Sequence, residues 1–200
     1  MKEFWNERFA KEEFIYGTKP NFFFKSELDK ISKNGKALFP LEGEGRNACY
    51  AAKMGWNVEA FDFSIAGKEK AMRLCDSYSV PIAYKISKAE DFEFQKDTYD
   101  LVVLIYAHVN AKLRKDFHHN VVKSLKPGGQ IILEAFNPKQ LKNAYQSGGP
   151  KSLEMLYTLD ELKIDFKDLN ELKGEELEIE LNEGEYHRGK GFVTRLTGVK

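Results

Sequence analysis

The sequence predicts an α/β fold: a Rossmann-like, doubly wound, mostly parallel sheet with a C-terminal antiparallel hairpin and an N-terminal helical cover. Three observations predict it. Short apolar runs alternate with helix-like segments from Lys36 to Phe136, the pattern of a parallel sheet with helices on both faces. The run "YDLVVLIY" is continuously apolar, as in a strand buried on both faces. Near the end, "ELEIEL" and "GFVTRLTGV" alternate apolar and polar residues around the turn-rich "NEGEYHRGKG", which reads as an antiparallel hairpin.

The chain up to about Lys33 reads as helix, loop, helix, with Gly17 and Pro20 punctuating "YGTKPNFF". This segment, 1–33, is expected to cap a core formed by 34–200 within one domain. "KALFPL" is the first strand; Pro40 stands near its end, where a missing N–H is tolerated. Residues from about Arg46 to Met54 suit a helix, with Gly55 at its C′ position. "WNVEAFD" is the second strand, and Ser64 can cap the helix that runs on toward Cys75. "PIAYKI" and "YDLVVLIY" follow as strands. Val109, Leu113, Phe117, Val121 and Leu125 recur every fourth residue and mark one face of the next helix. In "KPGG", Pro127 and Gly128 are the natural central pair of a turn before the fifth strand, "QIILEAF". Thr158 followed by Glu161 opens a further helix with a capping box.

A chain of 200 residues is long enough to bury a substantial core as one domain. Lys and Arg total 31 against 31 Asp and Glu, which argues against a general phosphate-backbone binder. Cys49 and Cys75 have no CxxC partner and no zinc-type spacing, so they read as reduced, packed thiols of a cytosolic protein, with no metal site. The opening "MKEFWNERFAKEEF" is charged and aromatic, unlike a signal peptide. The longest apolar run, Leu101 to Ala107, is too short to span a bilayer. A cytoplasmic location without nucleic-acid or membrane partners is the expectation. His118 and His119 are adjacent on a helix and are read as part of a solvated face; Trp5, Phe9 and Phe14 are read as core.

In an open parallel sheet, ligands sit beyond the carboxyl ends of the strands, at the switch in strand order. Gly43 and Gly45 follow the first strand and let backbone approach a ligand closely. The N–H groups around Arg46 and Asn47 open a helix and would attract an anion such as a carboxylate. Asp62 ends the second strand, where a carboxylate can accept from both hydroxyls of a ribose. Ala89 and Glu90 follow the third strand and could meet an adenine edge. Tyr106, Ala107 and His108 follow the fourth. A turn with two glycines is a weak signal alone; its position between a strand and a helix, one strand away from an acid, points to a nucleoside-like ligand.

With these residues in place, "ALFPLEGEGRNACYAAKMGWNVEAFDFS" resembles the first two motifs of class I S-adenosylmethionine-dependent methyltransferases. It is most similar to the tellurite-resistance and thiopurine methyltransferase-like subgroup, through EGEGRN. "FWNERF…YGTKPNFF", "LKPGGQIILEAF" and "GGPKSL…NEGEYHRGKG" extend the resemblance over nearly the whole chain. The resemblance implies a small-molecule methyltransferase using S-adenosylmethionine (SAM) and releasing S-adenosylhomocysteine. It implies that Gly43, Glu44 and Gly45 surround the methionine moiety with Arg46 and Asn47, and that Asp62, with Phe63 and Ser64 beside it, holds the ribose. It further implies that Ala89 and Glu90 face the adenine, that Tyr16 and Gly17 cover the cofactor, and that Tyr106 and His108 begin the reaction face.

The chain also departs from the family pattern. Phe39 takes the place of the usual acid and Leu41 that of the first glycine, while Lys88 stands where many relatives carry an acid. Glu42 or Glu44 is expected to supply the missing negative charge for the methionine ammonium. Tyr16 or Trp5 could favour a sulfonium by cation–π attraction. His108 is the expected proton acceptor should the methyl acceptor be a hydroxyl or amine. Two other readings compete: a non-catalytic SAM-binding regulator, and a nicotinamide-dependent oxidoreductase, whose pyrophosphate Glu42 and Glu44 would repel.

Overall fold

The computed structural model describes residues 8–9 and 11–200; Trp5 lies outside them. The strands are β1 (Lys36–Pro40), β2 (Asn57–Asp62), β3 (Ala83–Ile86), β4 (Tyr99–Ile105), β5 (Leu125–Phe136), β6 (Asn170–Asn182) and β7 (Arg188–Val199). They form one seven-stranded sheet in the order β3-β2-β1-β4-β5-β7-β6. The first five strands pair in parallel, and β7 runs antiparallel between β5 and β6. The expected doubly wound sheet with a C-terminal hairpin is therefore present. Its order reverses between β1 and β4.

Helices α1 (Phe22–Leu28), α2 (Arg46–Lys53), α3 (Ile65–Ser77), α4 (Ala111–Ser124), α5 (Lys139–Lys142) and α6 (Leu159–Asp165) connect and cover the strands. Alternate strand residues serve opposite faces. Leu38, Val102 and Leu104 join a core with Phe117, Val121 and Leu162; Phe39, Leu101 and Val103 join a second core with Phe24, Ala48 and Ala71. The helix starts are written locally. Asn21 accepts from Phe24 N–H to cap α1, Ser64 accepts from Gly67 N–H to cap α3, and Thr158 with Glu161 completes the capping box of α6.

Four local expectations change. The "KPGG" segment lies within β5 as a bulge: Tyr99 pairs with Leu125, and the next pair is Leu101 with Gln130. Gly128, at φ +80°, donates its N–H to Lys200 O at 2.7 Å, so the detour is anchored on the C-terminal end of the sheet. Val109 and Leu125 fall just outside the two ends of α4. Cys49 and Cys75 are joined in a disulfide rather than left as thiols, because α2 and α3 bring their Cα atoms to 5.1 Å. His118 is fully buried rather than solvated, since α6 covers it and Asp165 Oδ2 lies 2.9 Å from its Nδ1; His119 beside it is exposed, as expected.

Candidate functional site

The carboxyl ends of β1, β2 and β4 converge at the reversal of strand order. Backbone conformation there is unusual. Leu41, directly after β1, and Tyr106, directly after β4, both adopt positive φ, 54° and 55°. Bulky residues are costly in that region and persist where the surroundings over-determine them, commonly at ligand sites. Leu41 thus takes up the left-handed step that a glycine would make in a fuller glycine motif. Gly43 and Gly45 complete the turn at φ 60° and 82°. A Cβ on Gly45 would lie 2.5 Å from the Ala71 Cβ, so α3 requires glycine there.

Glu42 turns back onto the helix that this loop launches. Its Oε1 accepts from Asn47 N–H at 2.9 Å and Ala48 N–H at 2.8 Å. Gly45, the N-cap residue, has no side chain to do this. Two amides at the start of α2 are therefore satisfied by a carboxylate of the chain itself, which corrects, for Asn47, the expectation that the amides around Arg46 and Asn47 wait for an anionic ligand. Burial raises the Glu42 pKa to about 7 against these bonds. Asp62 behaves alike: burial raises it to about 6, while Oδ2 accepts from Gly43 N–H at 3.2 Å and Oδ1 from Ser64 N–H at 2.8 Å. The ends of β1 and β2 thus hold two carboxyls bonded to backbone amides, Asp62 buried and Glu42 half-buried.

Glu44 has a different task from the one expected of it. It is 3% exposed, pairs with Lys70 at 2.8 Å, and accepts from the N–H groups of Ile15 and Tyr16, each at 3.2 Å. Lys70 also donates to Glu13 O at 2.6 Å. Glu44 therefore fastens the N-terminal strap over the glycine turn. The strap continues across the site. Gly17 packs closely on Gly184, Glu185 N–H donates to Ile15 O, and Asn21 N–H donates to Asn47 Oδ1. Tyr16 lies between Phe9 and His187, with ring centroids 6.4 and 4.4 Å away.

A buried polar network walls the end of β4. Arg46 donates to Glu183 at 2.8 Å and to Tyr16 O at 3.4 Å. Asn21 Nδ2 donates to both Glu134 and Glu183. Tyr106 donates its hydroxyl to Glu134 at 2.7 Å, and Arg195 holds the other oxygen of that fully buried carboxylate. His187 sits against Tyr106, Tyr16 and Phe136, with Nδ1 3.4 Å from Glu183 Oε2. Burial opposes charge on Glu183, but the bonds from His187 and Arg46 overcome it and hold the carboxyl at about 2. Burial pushes the His187 pKa down despite Glu183, so the neutral ring donates from Nδ1 and keeps its lone pair on Nε2.

His108 is differently placed from its expected role. Nδ1 meets Met155 O at 2.6 Å, and Nε2 accepts from Phe136 N–H at 3.2 Å. Both nitrogens are occupied, and burial pushes the pKa to about 4; this histidine ties β4 to β5 and to the segment before α6. Phe63 is half-buried beside Asp62, Ser64 is fully buried under its cap, and Ala107 is buried. Ala89 packs against the core, whereas the Glu90 side chain is exposed, 4.0 Å from Lys88. Glu183 and His187, both within "NEGEYHRGKG", are site candidates that no motif marks in the sequence. The signal was present as an acid and a histidine four positions apart in a hairpin turn. Among the described residues, no group of three or more His, Cys, Asp or Glu side chains is placed to hold a metal ion.

Residues 42–129 match the family model described as a methyltransferase domain. TehB from Haemophilus influenzae superposes with a TM-score of 0.73 at 17% identity, over 100% of this chain and 66% of that one. Phosphoethanolamine N-methyltransferase 2 of Haemonchus contortus, solved in complex with SAM, superposes at 0.68 with 15% identity over 98% and 56%. The fold is that of a class I methyltransferase. In sequence, ubiquinone biosynthesis O-methyltransferase of Rickettsia conorii is 30% identical over 127 residues, 62% of this chain and 43% of that protein. The chain thus spans less than half the length of this curated relative. The methyltransferase-domain match begins at Glu42 and takes in the glycine turn, Asp62, the end of β4 and α4. Tyr16, Asn21, Glu183 and His187 lie outside it. Among the described residues, no helix is long and apolar enough to cross a membrane.

Proposed function

We propose that the protein is a SAM-dependent methyltransferase acting on a small-molecule acceptor, with SAM in the crevice between the glycine turn and Asp62. One observation carries the reading: half-buried Glu42 and buried Asp62 are carboxyls at the ends of adjacent strands, and their hydrogen bonds come from backbone amides. A ligand offering a ribose diol and positive charge suits them. A pyrophosphate does not, because it would face two carboxylates and a helix start already capped by Glu42. This disfavours a nicotinamide-dependent oxidoreductase.

In this reading Asp62 accepts from the ribose hydroxyls, Glu42 faces the methionine ammonium, and Gly43, Glu44 and Gly45 form the turn against which the methionine lies. Arg46 and Asn47 hold the strap and hairpin in place around it. Phe63 and Ser64 shape the ribose side, Ala89 and Glu90 the adenine side, and Tyr16 and Gly17 close over the top. When bound, SAM supplies a methyl group already activated on a cationic sulfur. The chain's contribution is to orient the acceptor and exclude water. Tyr106 and His187 line the reaction face. For a protic acceptor, His187 is better placed than His108 to accept the proton, because Glu183 fixes its tautomer. His108 acts by positioning.

A small acceptor is supported by the relatives named as O-methyltransferases of ubiquinone biosynthesis. The EGEGRN turn and the likeness to TehB support the tellurite-resistance-like subgroup. A thermal-shift comparison of SAM, S-adenosylhomocysteine and NADH tests the cofactor. The first two should raise Tm by mass action, and NADH should not; a shift with NADH alone refutes the reading. Incubation with radiolabelled SAM and a broad panel of acceptors separates an enzyme from a binding regulator, which would form no S-adenosylhomocysteine.

A further inference from the structure

We propose that the Cys49–Cys75 disulfide is a redox switch that sets the geometry of the glycine turn and, with it, affinity for the cofactor. The cofactor part rests on the function proposed above.

The observation is a seam between α2 and α3. Gly67, Ala71 and Cys75 lie four residues apart along one face of α3. Each meets a residue of the turn or of α2. A Cβ on Gly67 would be 3.0 Å from Gly43 O, and one on Gly45 would be 2.5 Å from the Ala71 Cβ and 3.4 Å from Cys49 Sγ. The third contact is the disulfide itself. The bond is thus the lowest of three successive contacts, of which the upper two are the glycine turn pressed on α3. Cys49 N–H also donates to Gly45 O at 2.8 Å, so the cysteine is bonded directly to that turn. The bond ties the helix leaving the glycine turn to the helix leaving Asp62.

Reduction by a dithiol breaks the S–S bond. Two electrons and two protons pass to Cys49 and Cys75, and the dithiol leaves as a disulfide. Bonded sulfurs sit about 2 Å apart, whereas non-bonded heavy atoms rest at about 3.5–4 Å. Both cysteines are fully buried among Leu74, Phe14, Tyr78, Val80 and Ile82; this packing hinders rotation of either thiol, so their separation pushes on α2 and α3. The seam carries that movement to Gly45 and Gly43, whose N–H contacts Asp62. Phe14, one of the residues packed on the pair, sits on the N-terminal strap beside Glu13, the residue that Lys70 holds. Because linkage is reciprocal, a ligand that prefers the oxidised form also protects the bond from reduction.

The test compares oxidised and dithiothreitol-reduced protein, each verified by intact mass. SAM affinity is measured by calorimetry, and backbone hydrogen exchange is followed at residues 42–48 without ligand. The expected results are an affinity loss of about tenfold on reduction and faster exchange of the turn. The Cys49→Ala/Cys75→Ala protein, which relieves the sulfur contact, should bind SAM independently of dithiothreitol. Equal affinities in the two redox states overturn the switch, as does oxidised protein that carries two free thiols. A drop in Tm on reduction with turn exchange and affinity unchanged reduces the bond to a staple and also overturns it. Should neither form bind SAM, the cofactor reading fails; faster turn exchange on reduction would then still uphold the mechanical link, and unchanged exchange would end it.

Discussion

Arg46 and Glu183, 137 residues apart in sequence, meet as an enclosed ion pair at 2.8 Å. The pair joins the first turn of α2 to the turn between β6 and β7, and so links the glycine turn to the hairpin that carries His187. Removing one partner leaves the other charge buried. Arg46→Ala should therefore cost about 3–5 kcal/mol in urea unfolding. Arg46→Met combined with Glu183→Leu should recover much of that loss, because no unpaired charge remains. A single-variant loss under 1 kcal/mol would show that water reaches the pair.

Glu42 gives a pH-dependent prediction. Its folded pKa, about 7, lies above the unfolded value, so the folded state binds the proton more tightly. The associated stability is complete at low pH and is lost as pH rises from about 4.5 through about 7. Glu42→Gln keeps an oxygen for the Asn47 and Ala48 amides without the charge. In ligand-free protein it should match the parent near pH 4 and exceed it at pH 8, the gap growing by at most about 1.4 kcal/mol per pH unit. Urea unfolding at a series of pH values reads this directly; a gap that does not change with pH contradicts it.

His108 has the opposite sign. Its folded pKa, about 4, lies below the unfolded value near 6.5. Stability from this residue is present above about pH 6.5 and is lost as pH falls toward 4. Heteronuclear NMR of the imidazole should find a neutral ring protonated on Nδ1 at pH 6, given the bond to Met155 O. A ring that titrates near 6.5 would mean that the two bonds open in solution and would restore His108 as a proton acceptor.

Glu44→Gln should loosen the N-terminal strap by weakening the bond to Lys70, both side chains being 2% exposed. The cost is set by the Lys70 charge left with only Glu13 O and an amide oxygen, about 1–3 kcal/mol. Proteolysis near residues 11–18 should accelerate, while SAM affinity should change less than in a Glu42 variant. The reverse ranking would return the ammonium-binding role to Glu44.

The sheet was legible because periodicity and capping are local signals. The alternation of segments, the apolar β4 and the Thr158–Glu161 box all lie within short windows, and each appears in the structure. The glycine turn and Asp62 were legible through their positions after strands. What escaped the reading depends on pairs that are distant in sequence. Cys49 and Cys75 are 26 residues apart, without a spacing rule to join them. His118 is buried by an aspartate 47 positions away. His187 becomes part of the site only because the hairpin brings it against Tyr106 and Phe136. Leu41 was read as a missing glycine, yet the same left-handed step is made by leucine.

In the proposed function, Asp62 and the Gly43 turn together hold SAM. A crystal structure of the protein grown with S-adenosylhomocysteine tests it most directly. The ribose hydroxyls should lie within hydrogen-bond distance of Asp62 and the homocysteine against Gly43 and Gly45, with Glu42 facing its ammonium. Density for the ligand elsewhere on the molecule, or none at saturating concentration, would contradict it.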